Sequence, residues 1–116
     1  MSPAELLDEA RSFLTRQGGI VPALWPRAAA ILGRQALEGW VRAQWGAKPD
    51  AAEMSHCSMR SQLIGLTDVV DGPVVARANF VWAALSAACH YHPYELAPTS
   101  GELSHWLDEV DTLIAG

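Results

Sequence analysis

Hydrophobic residues recur at helical spacing along most of this chain, and the longest such stretch is residues 71–92. Its first apolar positions lie three or four residues apart, as in Val74, Ala78, Val81 and Leu85. Asp71 and Pro73 are typical of a helix start, and Pro93 prevents the helix from continuing. Other apolar residues fill the remaining sides. Since a helix that is apolar all round is typical of an interior, the pattern predicts a buried central helix at about 73–91.

Capping boxes mark the first and last predicted helices. Ser2 is followed three residues later by Glu5, and Thr99 is followed in the same way by Glu102. Apolar residues then recur at helical intervals in both segments. These signals predict helices at about 3–17 and 100–114.

Two further helices lie between these ends. Pro26 starts an apolar pattern that continues to Gly46, and Asp50 starts another that ends near Gly65. The second of these contains the polar and small segment 55–62, with the sequence SHCSMRSQ. Close packing against the central helix is one interpretation of this segment, and the lining of a polar cleft is the other.

The lengths of the helices and of their connections predict the fold class. Connections of about three to nine residues favour antiparallel neighbours. The chain has 116 residues, half of them hydrophobic, with no internal repeat and no second domain. We therefore expect an all-α, single-domain bundle over residues 1–116, with four to five antiparallel helices around the buried central one.

Charge and composition narrow the classes of function. The formal net charge is −5, and the second half of the chain is the acidic half. This disfavours a nucleic-acid surface, which needs clustered Lys and Arg. No segment is typical of a signal peptide or a membrane span, so we expect a cytoplasmic protein. Cys57 and Cys89 form no motif, and we expect two buried, reduced thiols. The many Arg and Ala residues are typical of a GC-rich bacterial genome.

Polar residues of three helices are expected to meet at one end of the bundle, on the assumption that the third helix folds back along the central one. The residues concerned are Arg34, Arg60, Arg77, Asn79 and Gln62. Ion pairs that tie helices together are the main interpretation. An anion or phosphate pocket is the alternative, because several guanidinium groups would suit one. Asn79 in particular is expected to bond to Arg60 or Gln62.

Histidines and their neighbours are expected at the other end. The binding candidates there are His56, His90, His92, Tyr94, Glu95 and His105. Four histidines could bind zinc or act as acid–base groups near neutral pH. However, His90 and His92 point in different directions at a helix end, and no HExxH pair occurs. We therefore predict no metal site and no cofactor, and only His90 and His92 are catalytic candidates.

The segment from His90 to Tyr94, together with the helical layout, resembles the HEPN family of bacterial toxin and defence systems. The resemblance implies a helical bundle whose dimer lines an RNA-cutting cleft without a metal ion. Family RNases carry an Arg four to six residues before the His. Here the nearest upstream Arg is Arg77, about 20 Å away along a helix. This departure from the family's Arg–His spacing favours a relation to the inactive, binding members of the family.

The sequence therefore favours a non-enzymatic protein-interaction module. Five tryptophans, an acidic last helix and the lack of an assembled catalytic motif point in this direction. The expected partner is a second copy of the chain, forming a homodimer, or another protein. The acidic helix is explained by a solvated face or by a basic partner. The alternative function is a HEPN-type RNase or its inactive relative, and only that alternative involves nucleic acid.

Overall fold

The computed structural model describes residues 1–15, 25–91 and 95–116, and these form an all-α single domain. Its five α-helices are α1 (Pro3–Thr15), α2 (Trp25–Gly46), α3 (Met59–Ile64), α4 (Gly72–Cys89) and α5 (Ser100–Ala115). Two 3₁₀ helices, Ala52–His56 and Leu66–Asp68, flank α3. The predicted fold class is confirmed. The predicted end of the first helix lies outside the described residues.

Both predicted capping boxes are present. The Ser2 hydroxyl accepts from the Glu5 N–H, and the Glu5 carboxylate accepts from the Ser2 N–H. Thr99 and Glu102 form the same reciprocal pair, with both distances at 3.0 Å. Each box satisfies N–H groups that the first turn of a helix leaves unpaired. The starts of α1 and α5 are therefore determined locally by sequence.

The helix at the centre of the bundle is α2, which packs against α1, α4 and α5. Small buried residues line it, and Gly33 shows how close the approach is. A β-carbon at Gly33 would lie 2.5 Å from Cδ2 of Leu107 on α5. The fully buried Leu37 and Val41 continue the same contact surface. The core therefore lies around α2.

The prediction of a buried central helix at 73–91 is wrong in its burial, although the helix itself is present. Val81 and Leu85 on α4 are fully buried, but the side chain of Phe80 is 61% exposed. The helix packs with one side on α2 and α5, and its opposite side is open. The sequence of α4 is therefore apolar on all sides although the helix is buried on only one side.

The continuous third helix predicted from Asp50 to Gly65 is also wrong. Ser58 interrupts it, because its hydroxyl accepts from the Ser61 N–H and caps a new helix. The side-chain amide of the fully buried Gln62 donates to the carbonyls of Ser55 and Cys57, at 3.2 and 2.8 Å. Those carbonyls would otherwise accept the N–H groups of a continuous helix, so side-chain bonds have replaced helical ones.

Candidate docking surface

The open side of α4 carries a continuous row of apolar residues. We call Ala76, Phe80, Ala83 and Ala87 the outer face of α4; all four are exposed. At 3.6 residues per turn they fall within an arc of about 60° and extend for about 16 Å. None of the four is charged. Scattered exposed apolar residues are ordinary, but a continuous row is typical of a binding surface.

A groove between α4 and α5 adjoins the outer face. Its volume is about 560 Å³. Its apolar lining consists of Ala84, Ala87, Ala88, Tyr91, Leu96, Ala97, Pro98 and Trp106. Leu96 is 97% exposed, and the carboxylates of Glu95 and Glu102 lie at the same groove. Ala87 belongs to both the outer face and the groove, so the two form one continuous surface.

The opposite side of α4 is fixed to α2 by polar contacts at two heights. The indole Nε1 of Trp82 donates to Oε2 of Glu38 at 3.0 Å. Just beyond the end of α4, nine residues after Trp82, the carbonyl of Tyr91 accepts from Nη2 of Arg27 at 3.1 Å. The same guanidinium lies 4.7 Å from the centre of the Tyr91 ring, in a cation–π arrangement. These contacts show that α4 runs antiparallel to α2 and is held on a rigid support.

The arginines predicted to converge have separate partners. Arg34 lies 3.9 Å from the carboxylate of Glu38 within α2. Arg77 pairs with Glu109 of α5 at 2.8 Å, and Arg60 is exposed on the short α3. The structure does not gather them into one pocket, because α3 is too short to run along α4.

The prediction for Asn79 is wrong. Its side-chain amide donates to the carbonyl of Val75 one turn earlier, at 3.0 Å, and the residue is exposed. Gln62, the other polar residue of that prediction, is buried beneath the 3₁₀ helix Ala52–His56. The Asn79 side chain therefore bonds within α4, and the Gln62 side chain bonds to the 3₁₀ helix before α3.

The histidine candidates are spread over the molecule. His92 and Tyr94 lie outside the described residues. His90 is exposed at the end of α4, near Arg27, and His105 is exposed on α5 beside Trp106. His56 is exposed on the 3₁₀ helix Ala52–His56, which lies near the other end of α2. Gln62 connects the two, because its side chain donates to Ser55 of that 3₁₀ helix and its carbonyl accepts from Trp45 of α2. Residues 27 and 45 are about 27 Å apart along α2, so His56 and His90 are well separated.

The two cysteines have different surroundings. Cys89 is buried as predicted, whereas the prediction of a buried Cys57 is wrong because that residue is exposed. Burial raises the pKa of the Cys89 thiol, and the nearby Arg34 guanidinium opposes part of this change. Both cysteines are free. Within the described ranges, no three His, Cys, Asp or Glu side chains are grouped to hold a metal ion.

The pattern of apolar residues does not indicate that the outer face of α4 is exposed. The prediction of a helix buried on all sides includes Phe80, which is exposed, and no single residue indicates this exposure. The available signal was the number of helices. A helix is enclosed only where others pack on every side of it, and among the described residues the long neighbours of α4 are α2 and α5, on one side.

The fold and this surface define an all-α bundle with one uncharged helix face left open. None of the described helices is both long and apolar enough to cross a bilayer. No protein-family model, curated protein or solved structure matches the chain.

Proposed function

We propose that this protein is a non-enzymatic protein-interaction module that binds its partner through the outer face of α4 and the adjoining groove. The observation that carries the proposal is the 61% exposure of Phe80 in the middle of an uncharged helix face. Binding would remove this face from water, and burying apolar area is the main favourable contribution to association.

The rigid support of α4 also favours binding. Trp82 and Arg27 hold the buried side of the helix on α2, so the open side is presented with little freedom to rearrange. A preorganised surface binds with a smaller loss of conformational entropy. Aromatic side chains are frequent anchors at interfaces; Phe80 is exposed on the outer face, and Tyr91 and Trp106 line the adjoining groove.

The test is site-specific photocrosslinking in the cells that make the protein. Phe80 is replaced by photoreactive benzoylphenylalanine, a conservative change, and Thr67 receives the same residue as an exposed control on another element. We expect a defined protein adduct from position 80, identified by mass spectrometry, and none from position 67. Equal labelling at both positions, or no adduct at position 80, would contradict the proposal.

A further inference from the structure

We infer that the partner presents a basic amphipathic helix, whose apolar side lies in the groove between α4 and α5 and whose Lys or Arg side chains pair with Glu95 and Glu102. This inference rests on the proposed function, since it specifies the chemistry of the partner on that surface. The chain itself has a net charge of −5, so a partner of opposite charge is a different protein.

The groove carries negative charge without a counter-charge. Its described lining includes the carboxylates of Glu95 and Glu102, and no Lys or Arg. Oε1 of Glu102 accepts from the Thr99 N–H at 3.0 Å, and Oε2 has no partner among the described residues. Glu95 is exposed and forms no ion pair within the same part of the chain. Two carboxylates beside an apolar groove attract a positively charged partner and repel an acidic one.

The remaining side-chain carboxylates of α5 are paired with arginines. Arg11 lies 2.7 Å from Asp108 and 3.7 Å from Asp111, and Arg77 lies 2.8 Å from Glu109. These pairs join α5 to α1 and α4, so they contribute to the fold. The negative charge of α5 that lacks an arginine among the described residues therefore lies at the groove.

The guanidinium of Arg27 lies against Tyr91 but does not line the groove. It is 4.7 Å from the centre of the Tyr91 ring and donates to the carbonyl of the same residue. Its Nε is buried. Arg27 thus holds Tyr91 from the side of α2 and leaves both carboxylates of the groove without a cation.

The floor of the groove allows another helix to approach closely. Ala84 and Ala87 follow Phe80 on α4 at spacings of four and three residues, so the three positions share one stripe of the helix. Small side chains at such positions let the backbones of two packed helices come near each other. A helix lying along this stripe would place its apolar side on the two alanines and on Phe80.

The orientation of α5 places a carboxylate beside that stripe. Arg77 pairs with Glu109, whereas Ala84 lines the groove together with Glu102 and Trp106, so α5 runs antiparallel to α4. Residue 102 then lies at about the height of residue 84. A helix in the groove would therefore have acidic groups at its edge and apolar groups beneath it. This arrangement suits an amphipathic helix with Lys or Arg beside its apolar side.

The first arm of the test is a selection of peptides of about 16 residues, which can form four helical turns, from a random phage-displayed library against the purified full chain. We expect the enriched peptides to carry apolar residues at intervals of three or four, an excess of Lys and Arg, and few Asp or Glu. The absence of enriched peptides, or enrichment without an excess of Lys and Arg, overturns the inference.

The second arm measures the affinity of an enriched peptide by fluorescence anisotropy at about 0.15 M salt, where charges more than about 8 Å apart are screened. Combining Glu95→Gln with Glu102→Gln should weaken binding by about 5- to 30-fold. Gln at position 102 still allows the capping box, and Glu95→Gln alone, outside every helix, should give a smaller loss of the same kind.

The matched control for these charges combines Asp50→Asn with Glu53→Gln, two exposed positions that do not line the groove. It removes the same net charge and should change the affinity by less than about twofold. Equal effects of the two double variants would mean that the peptide responds only to net charge, and would overturn the inference.

The third arm tests the groove itself. Ala87→Lys adds a long, positively charged side chain to the floor and should weaken peptide binding by about 10-fold or more. Thr67→Lys adds the same charge at an exposed position on another element and is the matched control. Circular dichroism should give the same helix content for both variants. Unchanged affinity for a folded Ala87→Lys chain overturns the inference.

These results are separate from those of the photocrosslinking experiment. If position 80 crosslinks in cells to a segment without basic residues, or to a second copy of the chain, the inference of a basic helix fails and the interaction function stands. If position 80 gives no adduct and the selection enriches no peptide, both fail.

Discussion

The indole of Trp82 on α4 is hydrogen-bonded to the carboxylate of Glu38 on α2, with Nε1 3.0 Å from Oε2. The Glu38 side chain is only 16% exposed, and the guanidinium groups of Arg34 and Arg42 each lie 3.9 Å from its carboxylate. One carboxylate thus links the two longest helices and balances two positive charges.

Replacing Glu38 by Ala should destabilise the fold by about 1–3 kcal/mol, because the part-buried Trp82 N–H loses its acceptor. Urea denaturation followed by circular dichroism measures the change. Glu53→Ala is the control, since Glu53 is exposed on a 3₁₀ helix. An unfolding midpoint equal to that of the original chain would contradict the structural role of the bond.

Leu85 and Asn79 are about 120° apart around α4, with Leu85 buried and Asn79 exposed, and they should respond very differently to truncation. Leu85→Ala should cost about 2–5 kcal/mol, because Leu85 is fully buried and leaves a cavity. Asn79→Ala should stay within about 0.5 kcal/mol, because Asn79 is exposed and bonds only within its own helix. The two free energies of unfolding settle which side of α4 is inner, and similar values would contradict the orientation described.

Gly33 and Gly46 both lie in α2, but replacing each by Ala should have opposite effects on the stability of the fold. A β-carbon at Gly33 meets Leu107 at 2.5 Å, and overpacking costs about 1–3 kcal/mol, partly offset by better helix propensity. A β-carbon at Gly46 meets nothing within 4 Å, so Gly46→Ala should gain up to about 1 kcal/mol. Thermal unfolding of both variants gives the signs. Equal shifts of the unfolding temperature in the two variants would argue against the close contact of α2 and α5.

Gln62 connects α3 to the 3₁₀ helix before it, and Gln62→Ala removes the donor to the carbonyls of Ser55 and Cys57. We expect a loss of about 1–3 kcal/mol, from two carbonyls left without that donor. Hydrogen exchange should also quicken in residues 52–58 more than in α5. Arg60→Ala, at an exposed neighbouring position, is the control. Uniform exchange changes across the chain would contradict a local role.

The thiols of Cys57 and Cys89 should differ in reactivity and in their dependence on pH. Exposed Cys57 should react with a disulfide reagent at once, and buried Cys89 only when the chain opens. Burial raises the Cys89 pKa above its unfolded value, so its contribution to stability is complete below the unfolded pKa and is lost as pH rises through the folded one. Cys89→Ala should therefore flatten the alkaline loss of stability. Rapid reaction of both thiols in the folded chain would contradict this.

Local signals predicted the helices whose ends are determined by neighbouring residues. The capping boxes at Ser2 and Thr99 gave the starts of α1 and α5, and Pro26 gave the start of α2 to within one residue. The interruption at Ser58 was missed because polar side chains competed with the helix for backbone groups. The distant Gln62–Trp45 contact that fixes this region depends on tertiary packing.

The candidate surface could not be predicted in the same way. Periodicity identifies a buried side only when a helix also has a polar side, and α4 has almost no such contrast. The expected cluster of Arg34, Arg60 and Arg77 depended on packing α3 along α4. In the structure α2 occupies that position, as the bond from Trp82 to Glu38 shows.

The neighbouring positions of α1 and α5 have a consequence for synthesis. Arg11 on α1 pairs with Asp108, 97 residues later, and the last helix supplies the buried side chains Leu103, Leu107, Val110 and Leu113. A ribosome adding about 5–20 residues per second completes α1 and α2 several seconds before α5 emerges. During that interval the surface around Gly33 lacks its cover. The nascent chain is therefore exposed to aggregation and to chaperones for longer than a bundle built only from neighbouring hairpins.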